Sequence, residues 1–517
     1  MTAAAPALPD EAVAADPVGP EPAPPLRARV LAGAGRAEGE AELAAWLRLP
    51  AAEALREWFG PAFLARDGSD PDRLRRRLDR DVAELDAVIA RAVDALLHHP
   101  RLQALEAAWR GVRWLADTLG HDGMTAVRVM DCRWAELGRD LERSPDFDQS
   151  TLFRLVYDEE FGMPGGVPFS MLVGLYDIRH KPGRDRPTDD VSIMRALSRV
   201  CAAAFTPMVM GVDPALLGVD GFGELDVRQS LAETLNDVEH RRLKSFQQAS
   251  DARFIALAGP RVLLREGRRG RAAGDCGFRY EERLRPGGGD ELWGNAALAV
   301  AHVCLRAFDE HRWLAAIRGT APDQLSGGVV AGLPMPDFRT DAPLVALKFA
   351  TEVNVSAALE RDMTEAGLIC LRRAKDTPFL VFYGLPTLHR PRLNYSSEIA
   401  RVNAELGSML NYILCVSRFA HYLKVIGREW IGSIKTADEC EIKLQTWLSR
   451  FCSAGDRLSY EMKARYPLQD GRVRVRETPG KPGVYECTMQ LKPHFQLDQA
   501  ISEFQLTTTL AGVEHAL

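Results

Sequence analysis

Between Glu398 and Leu510 the apolar positions change period once, from helical to strand-like. Ile399, Val402, Leu406, Leu410, Ile413, Val416 and Ala420 recur at three- and four-residue spacing, which predicts a single long helix to about Ile426 with one buried face. Arg472–Arg476, Val484–Leu491 and Glu503–Leu510 then alternate polar and apolar residues, which predicts three strands with one wet face each.

The rest of the chain reads as scaffold for that end. Residues 1–35 are rich in Pro and Ala and predict a disordered tail. Short amphipathic segments follow at Glu40–Leu49 and Ala52–Phe59, cut by Pro50 and Pro61, and Arg66–Pro71 reads as a polar linker. From Asp72, the stripe Leu78, Val82, Leu85, Ile89, Val93, Leu96 predicts a helix that ends at His98-His99-Pro100, since proline disfavours helix in the residue before it. Leu102, Leu105, Trp109, Val112 and Leu119 predict a second helix, paired with the first as a hairpin.

From Ala126 strands and helices interleave. Strands are expected at Val127–Met130, at Phe169–Tyr176 (buried on both faces), and at Pro207–Gly211, Phe254–Ala258, Leu344–Phe349, Gly367–Leu371 and Phe379–Gly384. Helices are expected at Trp134–Leu141, Val191–Ala204 and Leu292–Phe308, and exposed loops at Arg265–Gly274 and Arg285–Asp290. The fold expected is mixed α/β (α+β). Its parts are the tail 1–35, short helices and linker 36–75, a helical hairpin 76–125, an α/β body 126–397, and a long helix plus C-terminal strands 398–517.

Composition narrows the function. The 517 residues carry 65 Lys+Arg against 71 Asp+Glu, so no general basic field points to nucleic acid or an anionic membrane. No uncharged run is long enough to span a bilayer, and Met1-Thr-Ala-Ala-Ala-Pro6 lacks the signature of a secretion signal. Nine cysteines without a CxxC pair suggest reduced thiols in a cytoplasm. The candidate chemistry is thin. Asp158-Glu159-Glu160 offers clustered carboxylates, but adjacent helical residues point apart, and His98-His99 lacks further ligands at metal spacing. Gly287-Gly288-Gly289 and Gly327-Gly328 match no phosphate-binding loop, His421 reads as a hydrogen-bonded core histidine, and His494 marks a bend. This pattern argues for a protein that is not an enzyme and needs no cofactor or metal.

Several motifs, in order along the chain, resemble the large subunit of the type VI secretion contractile sheath, the VipB/TssC (ImpC/EvpB) family. They are Leu97-His-His-Pro-Arg-Leu-Gln-Ala-Leu-Glu-Ala-Ala-Trp-Arg-Gly111, Tyr157-Asp-Glu-Glu-Phe-Gly162 with Gly165-Gly166, Ser250-Asp-Ala-Arg-Phe254, Trp293-Gly-Asn-Ala-Ala297, and Ser326-Gly-Gly328 with Gly332-Leu-Pro334. Thr351-Glu352, Arg418-Phe-Ala-His-Tyr-Leu-Lys-Val425, Ile431-Gly-Ser433 and Pro493-His-Phe-Gln-Leu497 complete the series, which spans about Asp79 to Leu510. Two stretches depart from the family: the N-terminus through about Gly68, and Lys348–Glu360, where Asn354-Val-Ser-Ala-Ala-Leu359 stands in place of a charged run.

The resemblance implies a cytoplasmic bacterial structural protein that pairs with a small sheath subunit of the VipA/TssB type. With further copies of itself it would polymerise around an inner tube of the haemolysin-coregulated protein (Hcp), starting on a baseplate. Contraction would drive the tube and spike outward, and a ClpV-type AAA+ ATPase would take the sheath apart. Neither nucleic acid nor membrane insertion is implied. It also implies that C-terminal strands are exchanged between subunits, which makes Tyr485, Met489, Leu491, Phe504, Leu506 and Leu510 the candidate inter-subunit strand residues. The alternatives are a regulatory or capping paralogue, or the sheath protein of another phage-tail-like contractile injection machine.

Overall fold

The computed structural model describes residues 26–33, 40–68, 70–120, 122–163, 165–226, 231–271, 278–285, 290–320, 326–336, 349–374, 377, 379–391, 398–430, 436–455, 458–477, 485–494 and 504–510. Residues 1–25 and 34–35 of the expected tail and the expected strand Leu344–Phe349, apart from Phe349, lie outside these residues, as does the motif Ile431–Ser433, whereas Leu26–Gly33, expected as part of the disordered tail, is a helix whose Leu26 is buried. The chain divides into two compact units, Met1–Leu97 with Arg268–Arg283, and His98–Gly267 with Leu284–Leu517.

The first unit contains the helices Leu26–Gly33, Glu40–Trp46, Ala51–Phe59, Pro61–Asp67 and Pro71–Leu97. Leu26, Trp58 and Phe59 form its small core, packed by Val30, Trp46, Leu55, Phe63, Leu74 and Leu85. A buried carboxylate holds it together: Asp81 accepts from the Trp58 indole at 2.9 Å and from Arg27 Nε at 2.8 Å. The expected stripe on the last helix is only partly used, since Leu78, Val82, Ile89 and Leu96 are exposed. Arg269–Arg271 and Arg279–Glu281 pair as a short antiparallel hairpin where a plain loop was expected.

In chain order the strands are β1 (Leu172–Ile178), β2 (Met208–Val212), β3 (Ile255–Gly259), β4 (Val262–Arg265), β5 and β6 (the hairpin Arg269–Arg271 and Arg279–Glu281), and β7 (Leu292–Gly294). There follow β8 (Val329–Val330), β9 (Leu368–Arg373), β10 (Leu380–Phe382), β11 (Leu468–Glu477), β12 (Tyr485–Pro493) and β13 (Phe504–Leu510). The body of the second unit is a six-stranded mixed sheet in the order β1-β2-β3-β9-β10-β8, with β1, β2, β3 and β9 parallel.

Strand alternation divides the sheet's side chains between two cores. Met208, Met210, Ile255, Leu257, Leu368 and Cys370 face one cluster with the helices Trp134–Arg143 and Asp190–Ala204. Val209, Ala256, Ala258, Ile369 and Leu371 face the other, with the helices Pro100–Thr118 and Ala297–His311. Asp189 caps Asp190–Ala204 by accepting from Ser192 N–H, and Phe205, in the left-handed region at φ 52°, ends it.

Four further expectations are corrected. Val127–Met130 is not a strand: Val127, Val129 and Met130 are exposed, and Tyr176 O–H ties the segment's end through Cys132 C=O at 2.7 Å. β1 is not buried on both faces, because it is the sheet's edge strand and Leu175 is exposed. Leu292–Phe308 is not one helix. Leu292–Gly294 pairs with β4 and the helix starts at Ala297. The long helix is also two, Glu398–Leu406 and Leu410–Glu429. At the break, Thr387 donates to Ser408 C=O from both N–H (2.7 Å) and Oγ1 (3.0 Å), and Leu410 N–H donates to Leu385 C=O at 2.8 Å. Those tertiary bonds replace the bonds a continuous helix would make.

Candidate assembly interface

The helix Leu410–Glu429 joins the body to the C-terminal sheet. Its Phe419, fully buried, stacks on Trp313 at 4.6 Å and meets Trp447 and Phe451 edge-on at 6.0 and 5.9 Å. Leu423 of this helix and Leu444 and Leu448 of the helix Ala437–Ser449 extend that core under Val473, Val475, Cys487, Met489 and Leu491. The alternating residues of β11 and β12 thus bury one face against two helices, while Arg472, Arg474 and Arg476 point to solvent.

The motifs that run along the chain become contacts of this helix with the body. His421 Nε2–H donates to Ala204 C=O at 3.0 Å. Lys424 Nζ lies 4.5–5.1 Å from the ring centres of Tyr157, Phe161 and Phe205 and donates to the Tyr157 hydroxyl at 3.3 Å; burial pulls its pKa down to about 8. Arg428 gathers the carbonyls of Phe161 (3.2 Å) and Met163 (2.8 Å), at the end of the π-helical stretch Arg154–Gly162. Asp158-Glu159-Glu160 lies in that stretch, and its members do not act together. Asp158 and Glu159 are exposed, while buried Glu160 pairs with Arg128 and accepts from Val167 N–H at 2.7 Å. His99 accepts from Arg101 N–H and so caps the helix Pro100–Thr118. Gly327 has φ 69°, and its carbonyl, the fixed end of a turn, accepts from Arg306 at 2.7 Å.

Sequence reasoning missed a second group, at the C-terminal ends of the parallel strands. Buried Asp190 accepts from the Trp134 indole (2.7 Å), Thr188 Oγ1 (2.8 Å) and Arg179 N–H (3.0 Å). Arg179 also binds Asp213 at 2.9 Å, and Asp177 holds Arg261 and Asn295, each at 2.8 Å. These residues come from helix starts, a strand end and loops spread from Trp134 to Asn295, so no local pattern marks them. No cluster of three or more His, Cys, Asp or Glu suited to a metal occurs among the described residues. The buried thiols Cys201, Cys304 and Cys415 are pushed up to about 12 by desolvation, which suppresses thiolate chemistry.

Burial holds His421 at about 4, and His302, stacked on Trp114, at about 4. The unfolded chain takes up these protons near pH 6.5, while the folded chain resists until about pH 4. Stability is therefore expected to fall as pH drops through that window, by on the order of 3 kcal/mol from His421, at about 1.4 kcal/mol per pKa unit. Urea midpoints measured from pH 7 to 4.5 should decline, and less steeply in His421→Asn.

The candidate strand residues form three register pairs of the antiparallel sheet β11-β12-β13: Tyr485 opposite Leu510, Met489 opposite Leu506, and Leu491 opposite Phe504. Met489 and Leu491 are buried. The side chains of Phe504, Leu506 and Leu510 lie outside the described residues, so for β13 the backbone register is the observation.

The body with its mixed sheet ends near residue 391, and from Glu398 helices and an antiparallel sheet follow, so the chain falls into two successive parts of structure. Residues 79–389 match the EvpB/VC_A0108 tail sheath N-terminal domain, and residues 399–510 match the EvpB/VC_A0108 tail sheath gpW/gp25-like domain. The chain is 32% identical over 445 residues to the type VI secretion system sheath protein TssC1 of Pseudomonas aeruginosa, covering 85% of this chain and 87% of that one. It belongs to this tail sheath family, the family of the large subunit of the type VI secretion sheath. Proteins of the family are structural, and no helix among the described residues is long and apolar enough to cross a membrane.

Proposed function

We propose that the chain pairs with a small sheath subunit in the cytoplasm and polymerises with further copies of itself into a helical cylinder around an Hcp-type inner tube. Contraction of the cylinder, started from a baseplate, drives the tube outward. A separate ClpV-type ATPase recycles the contracted sheath, so this chain itself turns over no nucleotide. The observation that carries the reading is the position of β13: among the described residues it is the last strand and an edge of its sheet, joined to β12 through residues 494–503.

A strand so placed can make the same ladder within its own chain or with a neighbour, because the main-chain bonds are the same in both. Strand sharing of this kind between different surfaces is a heterologous contact, which builds an open helical polymer when its rotation does not close into a ring. It also survives rigid-body rotation of the subunits, since the connecting segments absorb the change. Phe504, Leu506 and Leu510 are then the residues that a shared sheet holds in register with Leu491, Met489 and Tyr485.

Co-expression with the small sheath subunit tests the proposal. Cylinders in negative-stain micrographs are the expected product. Soluble, folded heterodimers that never assemble would overturn it in favour of a regulatory or capping paralogue.

A further inference from the structure

The opposite edge of the C-terminal sheet is β11, and three of its outward main-chain groups are occupied by helix side chains. Gln445 Nε2 donates to Gly471 C=O at 2.8 Å, and Gln445 Oε1 accepts from Val473 N–H at 2.9 Å. Glu441 Oε2 accepts from Val475 N–H at 2.8 Å. Glu441 and Gln445 are four residues apart on the helix Ala437–Ser449, so they project from one face, one turn apart. They thus take three of the main-chain positions that a neighbouring strand would take.

The backbone is fitted to this contact. Cys440, Leu444 and Leu448 anchor the helix in the core, and Gly471 lets it come close: a Cβ at that position would lie 2.7 Å from Leu448 Cδ2. A second feature guards the same edge. Arg472, Arg474 and Arg476 are exposed on the opposite face of β11, and among the described residues Arg474 and Arg476 have no carboxylate within 4 Å. Inserted polar caps and charged side chains are the means by which exposed strand edges are kept from pairing.

We infer that Glu441 and Gln445 seal the β11 edge of the C-terminal sheet, so that a strand from another chain can join the sheet only on its β13 side. The inference rests on the strand-sharing reading above and adds a direction to it. With one edge sealed, each sheet accepts strands on one side only, and assembly cannot branch. The two residues are positioning residues: they hold β11 in its register and do not themselves touch the added strand.

Hydrogen–deuterium exchange on the heterodimer with the small subunit tests the seal without requiring cylinders. In Glu441→Ala/Gln445→Ala, peptides covering Gly471–Glu477 should exchange at least about tenfold faster, the loss expected for hydrogen bonds worth about 1.4 kcal/mol or more. Glu441→Gln, which keeps an acceptor oxygen, should restore protection at Val475. In micrographs, the double variant should give side-to-side associated or branched assemblies where the parent gives separate cylinders. Unchanged exchange in the double variant, or Glu441→Gln behaving like the alanine change, would overturn the inference. Failure of the strand-sharing reading shows separately, as parent cylinders that form without β13.

Discussion

Replacing Phe419 by alanine is expected to cost about 3–5 kcal/mol, the range for deleting a large buried aromatic side chain. The residue is fully buried, and its ring is the common neighbour of Trp313, Trp447 and Phe451. Those partners come from different segments: Phe419 from the helix that leaves the body, Trp447 from the helix that backs the C-terminal sheet, and Trp313 from the segment after Ala297–His311. The cavity would therefore open where the body meets the sheet module, and neighbouring rings cannot all close on it. Urea unfolding followed by tryptophan fluorescence reports on it directly, because Trp313 and Trp447 flank the site. Tyr422→Ala is the control. That side chain is 37% exposed and should cost much less. Equal midpoints for Phe419→Ala and the parent would show that this junction does not carry the stability assigned to it.

The second large effect is expected at Asp190, which is 2% exposed. Asp190→Ala removes the acceptor of the Trp134 indole, of Thr188 Oγ1 and of Arg179 N–H, and leaves Arg186 without the carboxylate 3.8 Å away. Unpaired buried donors cost about 1–3 kcal/mol each, and loss of a buried charge partner falls near 3–5 kcal/mol in total. Asp190→Asn retains one acceptor oxygen and should fall between the two. Because the network sits in the body, remote from the C-terminal sheet, the expected phenotype is a lower melting temperature with assembly intact at low temperature. A variant that melts like the parent would contradict the account of how the loops at the strand ends are held.

How much of this was legible in the sequence differs from element to element. β11, β12 and β13 were readable because Val473, Val475, Cys487, Met489 and Leu491 alternate with charged or polar residues, and a sheet backed on one side by helices demands that pattern. Asp190–Ala204 was readable because its apolar face is uninterrupted. The break between Leu406 and Leu410 was not, because the spacing of four keeps both residues on one face whether or not the helix continues, and the interruption is imposed by Leu385 and Thr387. Leu292–Gly294 is a strand only because Val262–Arg265 lies beside it.

For the candidate interface, alternation gave the strands β12 and β13 and the family resemblance singled out residues on them, but a period of two says neither how the strands pair nor which chain supplies each. Glu441 and Gln445 left no trace at all: two polar residues four apart on a helix look like any solvated face until the strand edge they cap is seen. The family motifs behaved differently again. His421 and Lys424 carry no pattern of catalysis, and the structure uses them, with Arg428 beyond the motif, to fasten a helix to the body.

The central claim, that the terminal strand builds the sheath, is tested most directly by negative-stain microscopy of the chain co-expressed with the small sheath subunit, with and without Ser502–Leu517. Cylinders from the full chain and dispersed heterodimers from the shortened one are the predicted result. Cylinders of normal appearance from both would contradict it.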